Sequence, residues 1–318
     1  MSFTKPFSGL SKKDADIAGG KGASLGEMLN AGIPVPDGYV VLSTTFDDFI
    51  EKTDLGSAIQ GVLDGVDHKA IHTVDDASEK IREMIRTAQM PQDIADEIIE
   101  QFNQLDCPFV AVRSSATAED GADHAWAGQL ESYLNTTKDS LLLNVQLCWA
   151  SLFTPRAIFY RFEKGLHTTH ISVAVVVQKM IESEVSGIAF FFFLLTEDYN
   201  QLIIEAGFGL GEAIVSGSVT PDSYVVSKEP LETVDVNVST QNRKLIKKEG
   251  GGNEWVDIAE PEASSQVLTA EKVTELANLI IRIANHYHFP CDIEWAYQNN
   301  KFYIVQCRPI TTLAKAAA

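Results

Sequence analysis

The clearest alternation of polar and apolar positions lies near the end of the chain and predicts a β-hairpin. Residues 292–297 and 302–308 have the pattern of two strands, and the four residues between them, Gln298-Asn299-Asn300-Lys301, include two asparagines. Asparagine is favoured in tight connections between antiparallel strands. We therefore predict that the two strands pair around a turn at 298–301.

Helical spacing predominates in the first half of the chain. Between positions 57 and 105 apolar residues recur three or four positions apart, and Pro91 interrupts the pattern, which predicts acidic helices with a break at that proline. Four other stretches favour helices: 23–30, ended by Gly32; a stretch from Thr44 or Thr45; 141–162, bent or restarted at Pro155; and 269–287, capped by Thr269. Three β-branched or aromatic runs favour strands, at 39–42, 109–112 and 173–180.

The composition indicates a folded protein with a strongly acidic surface. The chain has 318 residues, 45% of them hydrophobic, which is enough for one large core or two smaller lobes. Its formal net charge of -19 would repel a nucleic-acid backbone over most of the surface. We therefore expect no nucleic-acid partner, and we expect any anionic ligand to be held by a few local basic residues.

The sequence also predicts a location in the cytoplasm. The first ten residues lack the basic start and apolar run of a signal peptide, and the longest apolar block, 188–195, is far shorter than the roughly 20 residues of a membrane helix. The cysteines are scattered without a CxxC pair, which predicts reduced thiols. We expect no membrane partner.

The predicted hairpin places four polar side chains on one face. Successive side chains of a strand point to opposite faces, so Asp292 and Glu294 lie together, as do Gln306 and Arg308 on the partner strand. Oxygen ligands suit Mg²⁺ and a guanidinium suits phosphate oxygens, so this face predicts a site for a metal ion and a triphosphate. A solvated face of an edge hairpin is the alternative interpretation.

Two basic residues elsewhere are candidates for binding phosphate. Lys21 lies in Gly19-Gly20-Lys21-Gly22, where backbone amides and a helix dipole would help it neutralise phosphate, although the spacing is not that of a P-loop. A surface lysine in a plain turn is the alternative. Arg113 follows the strand over 109–112, so we expect it at a strand end, where a buried charge needs either a ligand or a structural carboxylate.

Two further stretches carry a weaker signal. Residues 126–132 have the composition either of a mobile loop over phosphates or of a structural Ω-loop. The glycines within 205–212 lack the downstream spacing of a dinucleotide fingerprint, so NAD binding is not expected. The histidines form no HExxH-like ligand set.

Six short motifs occur along the chain in a specific order. They are Gly19-Gly20-Lys21-Gly22, RSSATAED from Arg113 to Asp120, Ala127-Gly128-Gln129, Gly209-Leu210-Gly211-Glu212, Val219-Thr220-Pro221-Asp222 and Gln306-Cys307-Arg308-Pro309. In this order the chain resembles the nucleotide-binding domain of phosphoenolpyruvate synthases, a superfamily that includes pyruvate phosphate dikinases and rifamycin phosphotransferases. The resemblance implies the α/β (α+β) class and an ATP-grasp-like fold over 1–313, with ATP between two lobes that meet near 173–181, and an alanine-rich tail at 314–318.

The resemblance also implies roles for individual residues. Lys21 and Arg113 would bind phosphates, and Arg308 would stabilise the transferring group, which makes these three the candidate catalytic residues. Glu294 and Gln306 would hold Mg²⁺, and Asp292 would be a further nucleotide-binding residue. The segment Gln178-Lys179-Met180 would recognise adenine, largely through backbone groups. Phosphoryl transfer depends mainly on such positioning and charge neutralisation.

Two departures from the resemblance affect the expected activity. Synthases convert ATP, pyruvate and water to AMP, phosphoenolpyruvate and phosphate through a phosphohistidine, and we expect the histidine and pyruvate domains of that family to be absent from these 318 residues. A separate phosphoacceptor histidine domain is therefore an expected partner. In addition, residues 191–195 of the apolar run 190–195 stand where members of that family carry a small hydroxyl residue, a polar residue and a proline, which predicts reduced catalytic competence in an intact fold.

Two other functions stay open at this stage. The ATP-binding domain of a rifamycin-type antibiotic phosphotransferase shares the nucleotide domain and differs in the ligand that its C-terminal part binds. A catalytically silent ATP-binding module is favoured by the phenylalanine run and disfavoured by the intact candidate phosphate and metal residues.

Overall fold

A computed structural model describes residues 2–117, 131–166, 172–191 and 200–309. These residues fall into two compact units. The first unit comprises Met1–Glu27 and Asp37–Met180, and the second comprises Met28–Pro36 and Ile181–Ala318. The predicted mixture of helices and strands is confirmed in both. Among the described residues, no helix is both long and apolar enough to cross a membrane.

The first unit contains an antiparallel five-stranded sheet and a group of helices. In chain order its elements are β1 (Thr4–Pro6), α1 (Ala15–Asn30), β2 (Gly38–Val41), α2 (Ser43–Lys52), α3 (Leu55–Asp64), α4 (Ile71–Thr87), α5 (Gln92–Gln104), β3 (Val110–Ala116), β4 (Ser132–Thr136), α6 (Lys138–Ala150), α7 (Pro155–Glu163) and β5 (Val173–Lys179). The strand order is β1-β2-β5-β3-β4. The predicted break at Pro91 and the second helical start at Pro155 are both confirmed.

One face of this sheet packs on helices α2 to α7 and forms the core of the unit. Val110 and Val112 of β3 and Val173, Val175 and Val177 of β5 lie in this core, and all five are fully buried. Trp149 packs against Phe46 and Phe49, with ring centroids 5.8 and 4.9 Å apart. The apolar positions that predicted the acidic helices are buried in this core: Ile81, Ile85, Ile94, Ile98 and Phe102. Burial of one face per helix is what their three-and-four spacing requires.

Glycines on one side of α1 allow it to lie close to its neighbours. A Cβ atom at Gly22 would lie 2.7 Å from Val40 Cγ2 of β2, and one at Gly26 would lie 2.4 Å from Leu10 Cβ and 2.9 Å from the Leu10 carbonyl oxygen. Gly19 has a φ of 67°, which interrupts the helix within its second turn. The helix therefore begins at Ala15 rather than at residue 23, with a kink at the first glycine of the motif.

We predict that Gly26→Ala destabilises the chain by about 2 kcal/mol, because the added methyl group meets backbone atoms that cannot move aside. Gly61→Ala in α3 is the matched control, since no atom lies within 4 Å of the added Cβ there. Alanine has the higher helix propensity, so the control should gain up to about 1 kcal/mol. Urea unfolding of both variants measures the difference, and a loss of equal size in both would contradict close packing at Gly26.

The second unit contains an antiparallel six-stranded sheet covered by a long helix. Its elements are β6 (Val185–Phe190), β7 (Gln201–Phe208), α8 (Glu212–Val215), β8 (Asp222–Lys228), β9 (Leu231–Asn237), β10 (Arg243–Lys247), β11 (Asn253–Asp257), α9 (Ala270–Tyr287), β12 (Cys291–Gln298) and β13 (Lys301–Pro309). The strand order is β13-β12-β6-β7-β8-β9, and β10 pairs with β11 in a separate two-stranded sheet. Thr269 caps α9 as predicted, because its hydroxyl accepts a hydrogen bond from the Lys272 N–H at 3.4 Å.

The predicted closing hairpin is present, with a tighter turn than expected. Gln298 pairs with Lys301, so only Asn299 and Asn300 form the turn. Their φ angles are 51° and 59°. Two successive residues in this left-handed region are typical of the two-residue hairpin turn that matches strand twist, which explains why asparagine occupies both positions.

Candidate nucleotide-binding site

Arg113 lies inside β3 rather than at the end of a strand. The strand continues through Ala116 because each residue from Arg113 to Ala116 pairs with a residue of β5, and Arg113 also pairs with Ser132 of β4. The prediction that the motif lies beyond the end of a strand was therefore wrong in this detail. The hydroxyl residues extend the ladder instead of starting a loop, and the arginine side chain projects from a paired, rigid backbone.

The Arg113 side chain is buried and held by Gln178 of β5. Its guanidinium Nη2 donates a hydrogen bond to Gln178 Oε1 at 2.6 Å. The two residues are only 8% and 2% exposed. A carboxamide oxygen is neutral, so this contact orients the guanidinium without cancelling its charge. A buried, oriented and charged group of this kind is suited to bind an anion.

The backbone N–H groups of Lys179 and Met180, in the segment predicted to recognise adenine, are hydrogen-bonded within the protein. The Lys179 N–H donates to the Asp37 carbonyl oxygen at 2.8 Å, and the Met180 N–H donates to the Phe109 carbonyl oxygen at 3.1 Å. Both N–H groups are thus already used within the protein. Any backbone contact that these two residues make to adenine would have to use their carbonyl oxygens as acceptors.

Lys21 lies on α1 just after the kink at Gly19, not in a plain turn. Its Nζ donates a hydrogen bond to the Ser114 carbonyl oxygen at 3.0 Å, across 93 positions of sequence. A Cβ atom at Gly19 would lie 2.1 Å from Ser115 Oγ, so the glycine motif and the arginine motif are in direct contact. The structure therefore brings Lys21 to Ser114, the residue that directly follows Arg113 in β3.

The four polar side chains of the closing hairpin lie together as the alternation predicted. Asp292 pairs with Arg308 and Glu294 pairs with Gln306 across the two strands. Arg308 Nη2 donates to Asp292 Oδ2 at 2.7 Å, and Gln306 Nε2 donates to Glu294 Oε1 at 2.9 Å. The Arg308 side chain is still 43% exposed. Asp292 therefore orients the guanidinium, while much of the Arg308 side chain stays accessible.

A β-bulge at Val305 makes this arrangement possible. Glu294 pairs with Gln306, yet the next residue, Trp295, pairs with Ile304, so Val305 is one extra residue on β13. Ile304 is fully buried on the core face, where strict alternation would place it on the same face as Gln306. The bulge reverses the alternation between these two residues. It lets β13 supply both core residues and site residues.

The donor set of the hairpin fits a magnesium ion. Glu294 offers a carboxylate, and Gln306 uses its amide nitrogen toward Glu294, which leaves its Oε1 as a second oxygen ligand. Mg²⁺ is commonly held by one or two protein oxygens together with phosphates and water. Among the described residues no group of three or more His, Cys, Asp or Glu side chains is arranged to hold a metal ion. A magnesium ion held by these two oxygens would take its remaining ligands from water or from a bound phosphate.

The sheet places one further acidic residue on the same face, which sequence reasoning missed. Glu205 of β7 pairs with Ile188 of β6, and Ile188 pairs with Glu294, so the two glutamates occupy one row across three strands. Burial raises the pKa of the Glu205 carboxyl. The alternation of β7 contained a signal for its orientation, but only the strand order shows that it shares a row with Glu294.

Several predicted features fall wholly or partly outside the described residues. Phe190 ends β6 opposite Asp292, and the Phe191 N–H donates to the Cys291 carbonyl oxygen at 3.2 Å. The rest of the phenylalanine run, residues 192–195, lies outside. So do the end of the RSSATAED motif at 118–120, most of the stretch 126–132 with its Ala127-Gly128-Gln129 motif, and the tail at 314–318.

A family match over most of the chain identifies the family of this protein. Residues 15–318 match the family described as "Pyruvate phosphate dikinase, AMP/ATP-binding domain". The chain belongs to this family. Its mixed helix-and-sheet units have the ATP-grasp-like fold of the pyruvate phosphate dikinase AMP/ATP-binding domains, and the chain is the nucleotide-binding part of such an enzyme. The family resemblance inferred from the six motifs is thereby confirmed.

Curated relatives of this family are longer than the chain. It is 45% identical to a "Probable phosphoenolpyruvate synthase" of Methanocaldococcus jannaschii, over 99% of the chain and 27% of that relative. It is 40% identical to the "Phosphoenolpyruvate synthase" of Pyrococcus furiosus, over 99% of the chain and 44% of that relative. The "Rifampicin phosphotransferase" of Bacillus cereus is 37% identical over 98% of the chain and 36% of its own length. The chain thus spans less than half the length of each of these three.

Proposed function

We propose that this chain binds ATP with Mg²⁺ and donates a phosphoryl group to a histidine of another domain, as the nucleotide-binding part of a phosphoenolpyruvate synthase. The observation that carries the proposal is the polar face of the closing hairpin. There a carboxylate and a carboxamide lie beside an oriented, half-exposed guanidinium. That combination suits a metal ion bound to the phosphates of a nucleotide.

Each candidate residue has a role in this proposal. Lys21 and Arg113 bind phosphate oxygens, and Gln178 orients Arg113 through the 2.6 Å hydrogen bond. Glu294 and Gln306 would hold Mg²⁺, which when bound neutralises phosphate charge. Arg308, oriented by Asp292, stabilises the charge of the group being transferred.

The whole reaction is proposed from the relatives named as phosphoenolpyruvate synthases. In such an enzyme ATP, pyruvate and water give AMP, phosphoenolpyruvate and phosphate, and a phosphohistidine carries the group between the two half-reactions. The acceptor histidine domain is then the expected partner of this chain, in the cytoplasm. The rifampicin phosphotransferase at 37% identity supports a second candidate, in which an antibiotic is the final acceptor. Two synthase relatives reach 45% identity, which favours the first.

Titration calorimetry on the folded chain tests the proposal. We expect ATP with Mg²⁺ to bind with a dissociation constant below the millimolar range and NAD to give no measurable heat, because the site offers metal and phosphate ligands but no dinucleotide fingerprint. Circular dichroism on the same sample establishes that the chain is folded. No heat with millimolar ATP and Mg²⁺ in a folded sample would refute the proposed function.

A further inference from the structure

We propose that Glu131 and Arg82 are positioning residues for Lys21, and that they act through the backbone of Ser114. The inference rests on the proposed function, because its consequence is a change in affinity for the phosphate groups of a nucleotide. All the residues concerned lie in the first unit.

The backbone carbonyl group of Glu131 holds Ser114 in place. Its carbonyl oxygen accepts the Ser114 N–H at 3.2 Å and the Ser114 Oγ at 3.0 Å. The Cys148 thiol of α6 points at the same oxygen, at 3.9 Å. One carbonyl group thus holds Ser114 through both its main chain and its side chain. Ser114 cannot shift along the strand without breaking two hydrogen bonds at once.

The side chain of Glu131 is held in turn by Arg82 and Tyr133. Its carboxylate accepts Arg82 Nη2 of α4 at 2.7 Å and the hydroxyl of Tyr133. The Arg82 and Glu131 side chains are 35% and 31% exposed, so the pair is partly shielded from solvent. Burial and the hydrogen bond to Glu131 raise the pKa of Tyr133. The tyrosine therefore remains a protonated donor at neutral pH, and the carboxylate is held from two sides.

Ser114 connects Glu131 to the candidate phosphate-binding residue Lys21. The Ser114 carbonyl oxygen accepts Lys21 Nζ at 3.0 Å, and Ser114 directly follows Arg113 in β3. A lysine ammonium is a point charge on a flexible stem, so its position depends on what holds it. Ser114 supplies one acceptor for this ammonium, and Glu131, held by Arg82, fixes Ser114. Glu131 and Arg82 would thus influence the position of the Lys21 ammonium without contacting the phosphate themselves.

The test measures dissociation constants for ATP and adenosine by calorimetry. We expect Glu131→Gln and Arg82→Gln each to raise the value for ATP about tenfold, the effect of losing one charge-assisted hydrogen bond. Adenosine has no phosphate, so its affinity should change less than about twofold. Because the effect passes through Lys21, Glu131→Gln should add almost nothing in a Lys21→Ala background.

Arg86→Gln is the matched control. Arg86 lies one turn along the same helix and forms an exposed ion pair with Glu83 at 2.6 Å, and we expect its loss to leave ATP affinity unchanged. Equal weakening of ATP and adenosine, additive effects with Lys21→Ala, or the same loss in Arg86→Gln would overturn the positioning role. Unchanged ATP affinity in Glu131→Gln, beside normal binding by the wild type, would overturn it while leaving the proposed function intact. Absence of ATP binding by the wild type would overturn both.

Discussion

Replacing Arg113 by methionine is expected to weaken ATP binding about 100-fold while leaving the chain folded. The guanidinium is a buried, oriented cation, and charge-assisted contacts to phosphate in such surroundings are worth roughly 3 kcal/mol, which is about two orders of magnitude in affinity. Methionine retains most of the buried volume and removes a charge from the interior. Calorimetry with ATP and thermal unfolding of the same preparation measure binding and stability separately.

Two companion variants separate the charge of Arg113 from its geometry. Arg113→Lys keeps the charge but loses the planar fork, so it should recover only part of the affinity. Gln178→Leu removes the acceptor at 2.6 Å and should weaken ATP binding less than Arg113→Met, because the charge remains. If Arg113→Met bound ATP as tightly as the wild type, the arginine would be a structural residue of the sheet.

Replacing Glu294 by glutamine is expected to lower ATP affinity about 100-fold in the presence of Mg²⁺ and only slightly in EDTA. Loss of a residue that merely supports a metal ligand costs roughly 10–100-fold in metal affinity, so loss of a ligand itself should reach the upper end of that range. Gln306→Ala should behave in the same way, since Gln306 offers the second oxygen. Calorimetry measures the dissociation constant for ATP with Mg²⁺ and in EDTA, and the ratio of the two values tests the metal site.

Glu254→Gln provides the matched control for the metal prediction. Glu254 is an exposed residue of β11 in the same unit, and the substitution makes the same change in net charge. We expect it to bind ATP normally under both conditions. Losses of equal size with and without Mg²⁺ in Glu294→Gln would count against metal binding at the hairpin and would favour a general electrostatic or structural effect.

Local patterns were sufficient to predict most elements of the fold and the polar face of the closing hairpin. Helices α4 and α5 followed from apolar spacing, and the breaks at Pro91 and Pro155 followed from the missing N–H of proline. The face shared by Asp292, Glu294, Gln306 and Arg308 followed from period-two alternation within one hairpin. These features depend on residues that are close in sequence, so their physical cause is contained in the local pattern.

Other features depended on contacts between distant segments. The extension of β3 through the arginine motif required pairing with β5, about sixty residues later, and no local signal distinguished it from a strand end. The sequence did not predict the bulge at Val305 either. With or without the bulge, β13 places apolar residues in the core, and only the burial of Ile304 distinguishes the two registers. Glu205 entered the row of Glu294 only through the strand order.

The sequence by itself determined which chemical groups this protein carries and, for the closing hairpin, which strands hold them. The tertiary structure alone decided which of those groups meet. Lys21 contacts Ser114 across 93 positions, and Glu131 joins that serine to Arg82 on another helix. A Cβ atom at Gly22 of the glycine motif would lie 2.7 Å from Val40 of β2, and this close approach is visible only in the folded unit. A local pattern specifies the direction of a side chain relative to its own backbone, whereas its partner depends on the packing of the entire unit.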